Sequence, residues 1–212
     1  MMKTKYNTDS KQAIIRAGRE MLAATSLSDL SVSRLMKHAR VNHGLFHYYF
    51  KTKERFYSEV VKDLFDGFNQ TAAGSPIQYK NPIEQLRALL IGFALFLRDH
   101  WKLLWPVLKD TQLGYLLRRN IEIKMRPHLV ALMRTVKECR RKGMLVGESD
   151  SEILNRLLVT TVGSVILVRI ATEITPDLVK EFPLFKSEQG LDAETLYKRI
   201  DMTLRQVSRT KG

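Results

Sequence analysis

This sequence predicts an all-α fold, and three observations carry that reading. Apolar residues recur at three- and four-residue spacing almost throughout, the β-branched alternation of half-buried strands is scarce, and good N-cap residues stand ahead of the apolar runs. With 212 residues, 44% of them hydrophobic, the chain can bury one sizeable core or a small domain fused to a larger one. The placement of the helices favours the second: a three-helix N-terminal domain, a connecting helix, and a larger helical C-terminal domain.

Each helix is read from its punctuation. Asp9 with Gln12 makes a capping box for a first helix over residues 10–24, with Ile14, Ala17 and Met21 on its inner face. Ser31 caps a second helix reaching Ala39, and Asn42 a short third helix reaching Phe50. Thr52 caps a fourth, which carries Phe56, Val60, Leu64 and Phe68 along one side and ends before Gly74-Ser75-Pro76. Residues 74–80, small and turn-rich, mark the boundary. The larger domain opens at Asn81-Pro82-Ile83-Glu84, an N-cap, a proline at the first helical position and an acid at the third. Helices then follow over residues 82–99, 101–109, 112–142 with a kink or break at Pro127, 150–173 opened by Ser149 and Glu152, and 192–209 capped by Asp192. Residues 174–191, with Pro176, Pro183 and Gly190, form a long connection. The domains are thus 1–51, the connecting helix 52–73, and 74–212.

Charge narrows the function. The formal net charge is +13, and residues 1–58 hold eleven Lys and Arg against four acids, so +7 falls in about a quarter of the chain. Such a basic balance points to an acidic partner, nucleic acid or an anionic membrane surface. The one cysteine, Cys139, excludes an internal disulfide, and no charged leader with an apolar core precedes the first helix, so the expected compartment is the cytoplasm. Cys139 lies beside Arg140 and Arg141, which suits either a structural cysteine or a thiol of lowered pKa. The apolar run Leu157–Ala171 is shorter than the ~20 residues of a membrane span and contains Arg169, so it reads as a buried helix and no membrane is expected. Neither paired carboxylates nor a His/Asp metal cluster is visible, and no enzyme activity is expected. His43 and His47 stand four apart, a spacing that can bind zinc, but no Glu lies between them and no third ligand stands out, so no metal is assigned.

The stretch VNHGLFHYYFKTKERF, residues 41–56, holds more aromatics than a small helix face needs. Two helices joined by Arg40-Val41-Asn42 have the spacing of a helix-turn-helix, whose second helix enters the DNA major groove. Phe46 and Phe50, four apart, face the small core and leave His43, His47 and Tyr48 outward. Gly44 lets a phosphate or base edge approach, and Lys53 stands at a helix start where the dipole already favours an anion.

The run LSVSRLMKHARVNHGLFHYYFKTKERF, followed by a long amphipathic helix and an all-α remainder, resembles the N-terminal domain of TetR-family transcriptional regulators. The matching core is Phe46-His47-Tyr48-Tyr49-Phe50, then Lys51, Thr52 and Lys53-Glu54. The resemblance implies that His47 and Tyr48 take the places of the family's phosphate- and base-contacting aromatics, and Lys53 that of its helix-end phosphate lysine. His43, Gly44 and Leu45, following Asn42 at the turn, would fall in the base-reading segment, with Ser33 near the edge of the groove. Leu45 offers an apolar contact, such as to a thymine methyl. Arg40 occupies a turn position where the family usually has glycine; a left-handed backbone there costs a non-glycine residue ~1 kcal/mol.

In the larger domain the helix over 150–173 is apolar nearly all round and must be covered on two sides, with Gly163 and Ser164 permitting close approach. Leu196, Ile200, Leu204 and Val207 give the last helix a companion stripe, and the resemblance implies a homodimer through these two helices. It also implies a small-molecule effector. Candidate contacts are Phe93, Phe96, Trp101 and Met125 as apolar walls, with His128 and Arg169, polar residues on apolar stripes, to orient a head group; a core histidine and an Arg169–Glu173 ion pair are the other readings. The expected function is therefore a ligand-released, dimeric repressor on a palindromic operator, with no cofactor; the alternative is a ligand-independent DNA-binding or architectural protein.

Overall fold

The computed structural model describes residues 2–25, 27–72, 79, 81–109, 111–147, 149–174, 177 and 191–208. The described helices are α1 (Met2–Leu22), α2 (Val32–His38), α3 (Leu45–Tyr49), α4 (Lys53–Ala72), α5 (Pro82–Asp99), α6 (Trp101–Lys109), α7 (Thr111–Arg141), α8 (Asp150–Ile174) and α9 (Ala193–Val207). Their packing makes two compact units, each discontinuous in sequence: Met1–Phe68 with His100–Met125, and Asn69–Asp99 with Arg126–Gly212. The turn-rich boundary at 74–80 and the connection over 174–191 lie mostly outside the described residues.

In the first unit α4 is the central element. Phe56, Val60, Leu64 and Phe68 are buried along it as the spacing predicts, and Tyr57, Val61 and Phe65 are buried as well, so the covered face is wider than one stripe. On one side Phe56 meets Phe46 and Phe50, ring centroids 5.5 and 5.1 Å away, and those two rings lie 5.5 Å apart. On another side the Tyr57 hydroxyl donates to the Leu103 carbonyl of α6, Asn120 Nδ2 of α7 donates to Ser58 Oγ at 3.0 Å, and Lys124 pairs with Asp66. Burial pushes the Tyr57 phenol well above its ordinary pKa. α1 adds Ile14, Ile15, Ala17 and Leu22, and its Gly18 lies so close to Phe56 that a Cβ there would sit 2.2 Å from the ring Cζ.

Several caps match the sequence reading. Ser31 accepts the Arg34 N–H at 3.3 Å, Thr52 Oγ1 the Arg55 N–H at 3.2 Å, Ser149 Oγ the Glu152 N–H at 3.2 Å, and Asp192 the Thr195 N–H at 2.9 Å. Others differ. α1 begins at Met2, so Asp9 and Gln12 lie inside the helix; residues 2–8 hold neither glycine nor proline, and nothing local halts it there. Gly44, at φ −64°, holds the N-cap position of α3 without a side-chain bond. Asn42 acts just before it, its Oδ1 accepting the Gly44 N–H at 2.9 Å in an Asx turn. α7 runs through Pro127 without a break: the position is exposed, and Ile123, whose carbonyl loses its partner, is itself 56% exposed, so water can replace the missing N–H.

The second unit is built on α5, α8 and α9, which pack on one another. Leu86, Leu89 and Leu90 of α5, Ile153, Leu157 and Val165 of α8, and Leu196, Ile200, Leu204 and Val207 of α9 fill one core with Leu132, Val136 and Cys139 of α7. The α9 stripe assigned from sequence to the twin subunit is therefore consumed inside the protomer, as is Val165; periodicity shows that a face is covered but not by which chain. What points outward instead is Val159 at 61% exposed, Leu167 at 59% and Met202 at 60%. At 25 residues α8 is also longer than the apolar run read from sequence, and by length and composition it could cross a membrane; its inner face packs in this protein core. Burial and, secondarily, Glu138 raise the Cys139 thiol to about 11, which outweighs the lowering by Lys142.

Candidate nucleic-acid interface

α2 ends in a tight reversal that sets α3. The Arg40 N–H reaches the Lys37 carbonyl and the Val41 N–H the Met36 carbonyl, both at 3.2 Å, the two bonds of a Schellman turn. This turn requires a left-handed residue, and Arg40 supplies it at φ 54°, at a cost of ~1 kcal/mol relative to glycine. α3 is a single turn and a half that cannot stand alone; Phe46 inside it and Phe50 at its C-cap, each 1% exposed, pin it to α4. A second left-handed residue, Lys51 at φ 64°, then swings the chain into α4.

The pinned helix presents a polar surface. His43, Gly44, His47 and Tyr48 are exposed, Tyr48 at 66%, with Ser33 and Asn42 exposed alongside and Leu45 half-buried. The structure thus brings the sequence-predicted residues of α3 to one surface. His47 Nδ1 lies 3.4 Å from the Lys51 carbonyl, and its ring meets Phe46 edge-on at 5.6 Å. Tyr48 and Tyr49 are in edge contact at 5.0 Å; desolvation first, then Tyr48, raises the Tyr49 phenol above its ordinary value, so the Tyr49 hydroxyl remains a neutral donor. Gly44 is right-handed, and its Cβ would meet nothing nearer than Asn42 Oδ1 at 3.4 Å. Its backbone therefore does not demand glycine, and open space in front of it is what the residue provides.

At the start of α4, Lys53 Nζ donates one bond to the Ser28 carbonyl at 3.2 Å, which leaves two of its three donors for an anion. Glu54 beside it keeps its charge: its own backbone N–H, then the Thr52 hydroxyl, hold the carboxyl below the usual range. Arg34, Lys37 and Arg55, which the motif reading passes over, are exposed and make no ion pair among the described residues. Their signal lies in spacing: Arg34 and Lys37 have no acid three or four residues away, and Glu59, four after Arg55, is occupied by Lys11 and Lys62. Elsewhere in this unit Lys11, Arg19 and Lys124 are neutralised by Glu59, Asp63 and Asp66. Among the described residues, unpaired cations thus stand on α2 and at the ends of α3, a charge that a phosphate backbone can recognise.

The effector candidates divide between the units. In the second, Phe93, Phe96 and His128 are buried, and the Phe93 and His128 rings lie 4.9 Å apart; burial lowers the His128 pKa to about 4, so the ring is neutral at pH 7. Arg169 Nη2 donates to the Arg98 carbonyl at 3.2 Å, while its buried Nε has no hydrogen-bond partner; the side chain of Glu173 lies outside the described residues. Trp101, stacked on Trp105 at 5.2 Å with its buried indole N–H unbonded, and Met125 belong to the first unit.

Residues 14–60, the segment carrying this surface, match the family model of bacterial regulatory proteins of the tetR family. An uncharacterized HTH-type transcriptional regulator of Haemophilus influenzae is 25% identical over 162 residues, 73% of this chain and 80% of that protein. In fold, the chain is similar to a transcriptional regulator from Saccharomonospora viridis solved in complex with choline, with a TM-score of 0.77 at 12% identity over 96% of this chain and 100% of that one. It is also similar to a TetR transcription regulator from Haloarcula marismortui, with a TM-score of 0.70 at 15% identity over 95% and 100%. The helix-turn-helix geometry and the family match over it lead to one conclusion: residues 14–60 form a helix-turn-helix segment of the tetR regulatory type, in a chain whose fold is similar to that of TetR transcription regulators.

Proposed function

We propose that the chain is a cytoplasmic, homodimeric repressor that binds a near-palindromic operator and is released by a small molecule. The observation that carries the DNA reading is the exposed face of α3, with His43, Gly44, His47 and Tyr48 toward solvent and unneutralised Arg34 and Lys37 beside it. Each copy of α3 enters one major groove, so half-site centres lie about one helical turn, ~34 Å, or a multiple apart. Ser33, Asn42 and Lys53 hold phosphates at its margins, and Leu45 lies against a base or its methyl group.

The dimer reading rests on the outward face of α8 and α9, where Val159, Leu167 and Met202 would otherwise stay in water. The effector reading rests on Arg169, whose unbonded buried Nε suits an anionic end, with Phe93, Phe96 and neutral His128 of the same unit for a largely apolar body. The fold admits a small molecule elsewhere, as the choline complex illustrates. Release requires that the effector prefer the low-affinity state; a tenfold loss of operator affinity needs ~1.4 kcal/mol of such preference. Selection of duplexes from a random pool tests the function: enrichment of an inverted repeat supports it, and recovery of no shared sequence overturns it.

A further inference from the structure

The two non-glycine residues with left-handed backbone among the described residues are Arg40, at φ 54°, and Lys51, at φ 64°. Both are long cations, both are exposed, and they stand one before and one after α3. Glycine adopts this conformation without strain, whereas an L side chain does so only where the surroundings hold it. Here they do: two backbone bonds close the Arg40 turn, and at Lys51 the buried Phe50, the 2.8 Å bond from the Thr52 N–H to the Phe50 carbonyl, and His47 against the Lys51 carbonyl fix the second. Neither cation makes an ion pair or a side-chain hydrogen bond among the described residues, unlike Lys11 and Arg19 of the same unit. Strain retained twice, each time at an unpartnered cation flanking the same short helix, calls for a ligand that only a cation can hold.

We propose that Arg40 and Lys51 form a two-ended phosphate clamp: each binds a backbone phosphate of the DNA, one before and one after the groove-entering turn, and together they set the register of α3. This rests on the DNA-binding reading above. The left-handed turns present the two charges from backbone that is already fixed, so little ordering is needed on binding, and the contacts carry no base preference of their own.

The test compares the full-length wild type with Arg40→Gly, Lys51→Gly, Arg40→Lys and Lys51→Arg, by thermal melting and by anisotropy titrations of the duplex the wild type selects and of a shuffled one. Each glycine variant is expected to melt no lower than wild type and to bind both duplexes about fivefold more weakly near 0.15 M salt, with a salt slope shallower by about 0.9, the release from one phosphate. The charge-conserving variants should keep the wild-type slope. Unchanged slopes in the glycine variants, a loss confined to the selected duplex, or a loss that tracks a lowered melting temperature overturns the clamp while the DNA-binding reading stands. A wild type that binds no duplex overturns both.

Discussion

Replacing Gly18 by alanine adds one methyl group to α1 and should destabilise the first unit. The new Cβ would fall 2.2 Å from Phe56 Cζ, with the two neighbouring ring carbons at 3.1 and 3.2 Å. The far side of the Phe56 ring is closed, because Phe46 and Phe50 lie at 5.5 and 5.1 Å and all three rings are 1% exposed or less. The ring can yield only by pushing the residues that seat α3. Overpacking of this kind costs roughly 1–3 kcal/mol, and a contact this short against a rigid ring belongs at the upper end. Alanine returns up to ~1 kcal/mol in helix propensity, so the net loss is about 2 kcal/mol, a fall of roughly 4–8 °C in melting temperature for a chain of this size. Gly92, in the middle of α5 with nothing within 4 Å of a Cβ, is the control: Gly92→Ala should gain up to ~1 kcal/mol. Thermal melts followed by circular dichroism measure both. A Gly18→Ala protein as stable as Gly92→Ala would refute the packing argument, and with it the account of how α3 is held.

Gly44→Ala should leave the melting temperature unchanged within a degree or two while weakening operator binding, since the space it fills is open to solvent and not to the core. Glutamate at Val159, Leu167 or Met202 should give folded monomers by light scattering, whereas glutamate at Val165 or Leu204, 0% and 5% exposed, should abolish cooperative melting by burying an unpaired charge. His128 is neutral in both states above pH 6.5; between 6.5 and about 4 only the unfolded chain takes up its proton, so stability should fall by ~3 kcal/mol across that window. That component should be missing from urea titrations of His128→Leu. Cys139, buried with its thiol raised to about 11, should resist a thiol reagent at pH 8 until urea unfolds the chain.

Local signals were legible and long-range ones were not. Ser31, Thr52, Ser149 and Asp192 located helix starts because a cap is a contact within four residues, which sequence order contains. Asp9 misled because a capping pattern marks a start only if the preceding backbone cannot continue the helix, and nothing in residues 2–8 stops it. The division of labour within α3, Phe46 inward and His47 and Tyr48 outward, followed from helix geometry. Leu196, Ile200, Leu204 and Val207 did not reveal that their cover comes from α5 and α8 of the same chain, because an apolar stripe has no label for its partner. Nor could spacing show that Asp63 and Glu59 neutralise Arg19 and Lys11 of α1, pairings that span 44 and 48 residues, while Arg34 and Lys37 of α2 make no ion pair among the described residues.

Salt dependence of binding tests the central claim most directly, that the surface of α3 with its surrounding cations is a DNA-reading head. Wild type and Lys53→Ala are titrated onto the selected duplex and a shuffled control from 50 to 300 mM salt. A linear fall of log affinity with log salt at about −0.9 per phosphate contact is expected, with much tighter binding to the selected duplex at every salt and a slope shallower by about one unit for Lys53→Ala on both duplexes. Affinity independent of salt, or equal for the two duplexes, would contradict the claim.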